Sequence, residues 1–490
     1  MLVKLRSPGK LSLEEPSAIA IHPKYRADID GLRALAVVSV VIFHAFPHYL
    51  AGGFVGVDIF FVISGFLISS ILLGSLGGGK FSFADFYARR VRRIFPALIT
   101  VTFSTLVVGW FVFLDAEYRH LGKSIAAGFG FISNIVLWSE SGYFDASADY
   151  KPYLHLWSLA IEEQFYILWP FILWLVNKKR LSVTMITISV TLLSFSINIF
   201  SLGLAPEAAF YSPLSRVWEI LLGALLAIWT YKGQKSGKNE PSLNPIRCLL
   251  KGLNLNCQSI AFKNCLSIGG LLLVVLSIAF LDKESNFPGW WALLPSVGTA
   301  LIISGGMDAW LNRMILSHRI IVGLGLISYP LYLWHWPILA FVRIIEGGEV
   351  SANFRMILVG ISILLAWLTY KFIEKPLRIV GREGPVLRAL VYAALTITVF
   401  SFMIFKIGSP EFRLKKHNEL AREFGEYPHK PFHNESCNKR FPQFKDFSSC
   451  LLSKDRDPDL IIIGDSHSQQ YYKNCFLRNI SSHNLNRGCW

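Results

Sequence analysis

Apolar runs of about the length that crosses a bilayer recur along the whole chain. They fall near residues 32–47, 54–74, 96–114, 122–139, 157–176, 182–203, 214–231, 266–282, 291–306, 320–345, 355–373 and 388–407. Each approaches the ~20 residues that a spanning helix needs. Between them, Lys and Arg concentrate in alternate connections. The basic stretches are the tail up to Lys24, the run with Arg89, Arg90, Arg92 and Arg93, the trio Lys178, Lys179 and Arg180, and the loops 232–263, 313–319 and 371–388. The connections 48–53, 204–213, 283–290 and 346–354 are poor in them. Basic loops stay on the cytoplasmic side. If every run spans, the basic loops from Lys178 onward fall outside. If 122–139 does not span, all of them fall inside. That run is also the weakest, holding Lys123, Gly128, Gly130, Ser133 and Asn134. It reads as re-entrant or interfacial, inside a long outer region 115–155. The expected plan is ten spans plus an eleventh at 388–407, with a cytoplasmic N-terminus and an external C-terminal region.

Composition agrees with this pattern. Of 490 residues, 53% are hydrophobic, too many for an ordinary soluble protein. The net charge of +15 could suggest nucleic acid. Its confinement to loops between apolar runs argues instead for membrane topology. Residues 1–24 are polar and lack an apolar core, so no cleavable signal peptide is expected.

Ionisable side chains within spans are costly and mark functional candidates. Arg33 and His44 are eleven residues apart, which is about 20° from whole helical turns. They share a face, roughly 16 Å apart along the axis. Asp58 follows in the second run. His155 and Glu162 are seven apart and also share a face. Arg216 and Glu219 could form an intrahelical ion pair or line a pocket. In 327–338, Pro330 and Pro337 are expected to break the helix around Tyr329, Tyr332 and His335. Irregular backbone at that depth needs cover from protein or a water-filled cavity. The cluster Arg89, Arg90, Arg92 and Arg93 suits either topology or an anionic phosphate. No metal-binding set is read from the sequence.

After 407 the chain turns polar. Residues 459–468 read as an apolar strand, a tight turn and a helix start, placing Ser466 where a nucleophile could sit. Cys437 and Cys450 could form a disulfide, with Cys475 and Cys489 as alternative partners. Cys248, Cys257 and Cys265 are assigned to an inner, reducing loop.

Several stretches carry a resemblance. DGLRALAVVSVVIFH, GGFVGVDIFFVISGFLI, ARRVRRIFP, HLWSLAIEEQFY and SYPLYLWHWP resemble, in order, the motifs of the acyltransferase-3 family of integral membrane acyltransferases. GDSHS at 464–468 resembles the first block of the SGNH hydrolases, in which that Ser is the nucleophile. No Asp or Glu follows Asp465, so the late Asp–His pair of that family is missing and the domain is expected to be incomplete. The resemblance implies a helical, polytopic acyltransferase unit (25–378) after a tail (1–24). A linker with an extra span (379–410) and a partial α/β SGNH-like region (411–490) would follow. It implies an inner-membrane O-acetyltransferase taking acetyl from cytoplasmic acetyl-CoA to an envelope glycan such as lipopolysaccharide O-antigen or peptidoglycan. His44 would be the base or transient acyl carrier, with Arg33 supporting it and Asp58 or Glu162 orienting it. The four Arg residues would line the way in for the donor. His155, Arg216, Glu219, Tyr329, Tyr332 and His335 would line the substrate pocket. The rival reading is a transporter or flippase without covalent chemistry, since intramembrane charges and broken helices serve transporters too.

Overall fold

The computed structural model describes residues 25–79, 81–141, 150–235, 259–282, 284–348, 350–379 and 384–410, with Arg413, Phe432, His433, Ser449 and Cys450. Residues up to Gly408 form one compact unit and those from Ser409 another.

The first unit is helical throughout its described residues. Helix α1 (Ala27–Ala45) starts with Asp28 and Asp30 in its first turn and ends with His44 in its last, a charge order that suits the helix dipole. Helix α2 covers Gly56–Gly77 and α3 covers Phe83–Val112. Ser82 caps α3 by accepting from the Asp85 amide at 3.3 Å. Pro96 lies inside α3, and the Thr100 hydroxyl donates to the Pro96 carbonyl at 2.8 Å. Then come α4 (Asp115–Phe129), α5 (Ser133–Glu140), α6 (Leu156–Lys178), α7 (Val183–Leu204), α8 (Pro206–Tyr211) and α9 (Pro213–Lys235). After the next described stretch begins, α10 (Ile260–Phe280), α11 (Leu293–Gly305), α12 (Arg319–Leu326), α13 (Ser328–Glu346) and α14 (Ala352–Leu368) follow. A wide turn of π-helix, Thr369–Glu374, leads to α15 (Lys375–Ile379), and α16 (Gly384–Ile407) ends the unit.

Among the described residues, eight helices are long and apolar enough to cross a membrane. Helix α1 is not one of them, because Asp28, Asp30 and Arg33 crowd its first two turns. The run 122–139 is not one helix. It breaks between α4 and α5, where Phe131 has φ 53°. Gln164 on α6 holds the break, donating to the Phe131 carbonyl at 2.7 Å and to Asn134 Oδ1 at 2.9 Å. The run 320–345 breaks as expected, but at Ile327, ahead of Pro330. Pro330 then occupies the first turn of α13, where its missing N–H costs nothing, and α13 continues through Pro337 to Glu346.

Helix directions follow from paired contacts. Ser64 meets Glu162 and Ser69 meets Trp169, so α2 and α6 run parallel. Asp58 meets Arg216 at one end of α2 and Gly77 meets Tyr231 at the other, so α2 and α9 are parallel too. Tyr329 bonds to Ile94 and Phe341 packs on Phe113, which makes α3 and α13 parallel. Helices α2 and α9 touch backbone to backbone. A Cβ on Gly65 would lie 1.7 Å from the Ile220 carbonyl oxygen, and one on Gly223 2.0 Å from that of Val62. Small residues allow such approach between membrane helices.

In the second unit, the described residues include one parallel pairing, Phe432–His433 against Ser449–Cys450. Ser466, the GDSHS motif, Cys437, Cys475 and Cys489 lie outside the described residues, as do Cys248 and Cys257. Cys265 is an exposed free thiol on α10, which begins earlier than the apolar run suggested.

Candidate active site

Two polar neighbourhoods meet along α1. The first is a cavity of about 90 Å³ among α1, α2, α3, α6 and α13. Arg33, Arg90 and Arg93 line it together with Glu162, Glu163 and Tyr329. Arg33 Nη1 donates to Asp30 Oδ1 at 3.0 Å. Tyr25, ahead of the helix, donates to Asp30 Oδ2 at 2.8 Å. Burial, and then the Asp30 carboxylate, push the Tyr25 phenol up to about 12, so it stays a donor. Glu162 Oε2 accepts from Ser64 and from Tyr166, both at 3.0 Å. Arg90 Nε is buried with no hydrogen-bond partner among the described residues. Three guanidiniums against two carboxylates leave the wall formally positive, and an unsatisfied buried donor on it suits an anion.

The second neighbourhood contains three imidazoles. His44, in the last turn of α1, places Nδ1 2.9 Å from Nε2 of His335 on α13. The two rings meet end-on and nearly coplanar, with centroids 5.2 Å apart and 11° between planes. Trp336 packs on His44 at 4.4 Å. His155, just before α6, is 5.8 Å from the His335 ring and 5.3 Å from that of Tyr332. Its ring is buried, with neither nitrogen hydrogen-bonded among the described residues. Tyr332 joins the two neighbourhoods: it lines the cavity, and its hydroxyl donates to the His155 carbonyl at 2.7 Å and contacts the Ser158 hydroxyl at 2.8 Å. The end of α1 is secured by cations. Arg343 donates to the His44 carbonyl at 2.6 Å and Arg355 to that of Ala45 at 2.9 Å. Both satisfy carbonyls that a helix end leaves open.

Asp58, Arg216 and Glu219 form a third, separate group. Arg216 lies 3.0 Å from Asp58 and 3.1 Å from Glu219, and all three are buried. Phe61, Trp157, Phe210 and Phe287 surround the guanidinium at 5.4–5.9 Å. This group ties α2 to α9 and is absent from the cavity wall.

The structure thus sorts the residues singled out above. It brings Arg33, Arg90, Arg93, Glu162, Tyr329 and Tyr332 to one cavity, and His44, His155 and His335 to the cluster beside it. Arg89 is exposed and Arg92 bonds back to the Ala88 carbonyl at 3.2 Å; neither lines the cavity. Asp58 and Glu162 do not hydrogen-bond His44, because Asp58 turns to Arg216 and Glu162 to Ser64 and Tyr166. The partner on His44 Nδ1 is His335. Sequence reasoning missed Ser64, Ser158, Tyr166, Trp336 and Arg343. Tyr166 could have been found, being one turn after Glu162.

A family model described as an acyltransferase domain (Acyl_transf_3) matches residues 26–401. The Bacillus subtilis protein YrhL is 34% identical over 373 residues, covering 74% of this chain and 56% of that protein. Listeria monocytogenes OatA, a peptidoglycan O-acetyltransferase, is 31% identical over 367 residues, covering 72% of this chain and 56% of its own. The Staphylococcus aureus protein SAS0844 is 32% identical over 410 residues, covering 79% of this chain and 64% of its own. The chain therefore spans a little over half the length of the first two relatives. No solved structure matches it. With the arginine-lined cavity and the histidine cluster both inside the matched residues, this multi-pass chain belongs to the acyltransferase-3 family.

Proposed function

We propose that the protein is a membrane O-acetyltransferase that moves acetyl from cytoplasmic acetyl-CoA to a sugar hydroxyl of an envelope glycan. One observation carries the reading: a single helix, α1, presents Arg33 to a positive cavity and His44 to a histidine partner. Arg33, Arg90 and Arg93 would hold the anionic groups of the donor. His44 would take the proton of the acceptor hydroxyl as its oxygen attacks the acetyl carbonyl. The sulfur then leaves with the electron pair of the broken C–S bond and is protonated, so acetyl ester and free thiol are the products. Peptidoglycan is favoured as acceptor over lipopolysaccharide because OatA is named for peptidoglycan.

Topology supports a donor side and an acceptor side. Parallel helices are separated by an odd number of crossings. Among the described residues, α3 and the broken segment α4–α5 are the helices between the parallel pair α2 and α6. The continuous 30-residue α3 supplies one crossing, so α4–α5 supplies none. The short helices α1, α11 and α13 then complete an eleven-crossing plan with the eight long ones. By the distribution of basic loops, the arginine cavity faces the cytoplasm of an inner-membrane protein.

The test is acetyl-CoA turnover in membranes containing the native chain or His44→Ala, with membrane-inserted protein quantified for both. Turnover lost in His44→Ala at equal folded protein supports the proposal. Full turnover in that variant refutes the role of His44, and no turnover in the native chain with any glycan acceptor refutes the transferase reading.

A further inference from the structure

The hydrogen bonds around His335 assign the protons on His44. Nδ1 of His335 lies 3.1 Å from the Leu331 carbonyl oxygen. A carbonyl only accepts, so that nitrogen carries a hydrogen. In the neutral ring, Nε2 of His335 is then the lone-pair nitrogen. It faces Nδ1 of His44 at 2.9 Å. His44 Nδ1 must therefore be the donor, and the lone pair of the neutral His44 ring resides on Nε2. The ring planes agree with this bond: they differ by only 11° with centroids 5.2 Å apart, an end-on, nearly coplanar pair, and Trp336 packs on His44 at 4.4 Å.

Resting on the acetyltransferase reading above, we infer that His335 is a positioning residue that sets the tautomer and orientation of His44, making Nε2 its basic nitrogen. His335 is fully buried and bonded to the backbone of its own helix, so its ring has little freedom to turn away. When the acceptor hydroxyl gives its proton to His44 Nε2, the new imidazolium keeps its Nδ1–H on the His335 lone pair. No proton has to leave the pair at that moment. In serine-type triads a carboxylate holds the histidine in this way; here a neutral imidazole, itself held by a carbonyl, stands in that place. Arg343 and Arg355 donate to the carbonyls of His44 and Ala45. His155, the third imidazole, faces His335 by ring contact.

The test compares His335→Gln, His335→Asn and His335→Leu in the full chain. The Gln amide oxygen can reach the position of the lost Nε2, Asn is one bond too short, and Leu offers no acceptor. Orienting partners of this kind are worth roughly ten- to a hundredfold in activity. Leu and Asn should lower kcat by about that factor, and Gln should recover most of it. KM for acetyl-CoA should stay within about twofold, because His335 is not on the wall of the arginine cavity. Native kcat in the Leu variant, a KM rise in place of a kcat loss, or Gln no better than Asn would each overturn the assignment. If Leu does not accumulate in membranes, the Gln–Asn comparison decides alone. A second readout needs no turnover: the ¹⁵N spectrum of histidine-labelled protein in bilayers, with the His44 signal identified by its absence in His44→Ala. The Nδ1–H form of His44 in the native chain, mixed with the other form in His335→Leu, is the expected result. An Nε2–H form in the native chain overturns the inference. A chain that shows the expected tautomer yet turns over no acetyl-CoA would sink the transferase reading and leave the His335 contact standing.

Discussion

Replacing Arg216 by Met should be among the most damaging single changes in this protein, though Arg216 lies away from the proposed chemistry. Its side chain is 1% exposed, and the carboxylates it bridges, Asp58 and Glu219, are 1% and 0% exposed. Met approximates the length of Arg without its charge. The two carboxylates would then remain buried on α2 and α9 with no counter-ion. Removing one partner of a buried pair costs about 3–5 kcal/mol, against a total stability of roughly 5–15 kcal/mol. At about 2–4 °C per kcal/mol for a mid-sized domain, the melting temperature should fall by on the order of 10 °C. The assay is fluorescence-detected size exclusion after heating in detergent. A second variant isolates the cause: Arg216→Met with Asp58→Asn and Glu219→Gln removes every formal charge and should recover more than half of the loss. Arg216→Lys should fall between, since an ammonium keeps the charge but cannot span both carboxylates as a planar fork does. An Arg216→Met variant that melts within about 2 °C of native, a shift worth under about 1 kcal/mol, would refute the brace. So would a triple variant that melts as low as the single one.

Three further outcomes follow from the geometry. Arg90→Ala and Arg93→Ala should raise KM for acetyl-CoA about ten- to a hundredfold, the worth of a hydrogen bond to a charged group, whereas Arg89→Ala should stay near native because Arg89 is exposed and outside the cavity; steady-state kinetics in membranes checks both. Gly223→Ala would set a Cβ 2.0 Å from the Val62 carbonyl oxygen, while ordinary contact begins at 3.4 Å, so α2 and α9 must part by about 1.4 Å (3.4 − 2.0); a loss of about 1–3 kcal/mol should appear in the same melting assay. Asn312→Leu should cost a similar amount, because buried Asn312 donates to Asp28 at 2.8 Å and to the Ile302 carbonyl at 2.9 Å and accepts from Ser267.

Much of this arrangement was legible in the sequence where it depends on local period. The shared face of Arg33 and His44 follows from eleven residues on one helix, and charge parity set apart the run 122–139, which is divided between two helices. The Arg216–Glu219 pair follows from a spacing of three. What was not legible depends on contacts between distant segments. His335 is 291 residues from His44 and Arg216 is 158 from Asp58, and no periodicity links them. The division of the Arg cluster was equally hidden. Arg93 is about 40° from Arg89 and 60° from Arg90 around the helix, so phase alone could not say that Arg90 and Arg93 share the cavity and Arg89 does not. The break at Ile327 ahead of Pro330 was missed for another reason. A proline is tolerated in the first turn of a helix, so it can mark a start as well as a stop.

A deeper ambiguity lay in the ionisable residues themselves. Within apolar runs, Asp58, Arg216 and Glu219 looked as functional as Arg33, His44 and Glu162, because both kinds are costly to bury. The distinction is in where each group sits relative to the cavity. Arg216 lies within 3.1 Å of two carboxylates, among four aromatic rings, and is not on the cavity wall. Arg90 instead borders the cavity with a buried Nε that no described residue satisfies, and His155 keeps two such nitrogens beside the His44–His335 pair. An unmet hydrogen-bonding group at a buried site costs the fold about 1–3 kcal/mol. Such atoms are also found on Asp58, Arg216 and Glu219, but those of Arg90 and Glu163 border the cavity and those of His155 the histidine cluster. That placement is expected where a bound reactant, rather than the protein, completes the hydrogen bonding.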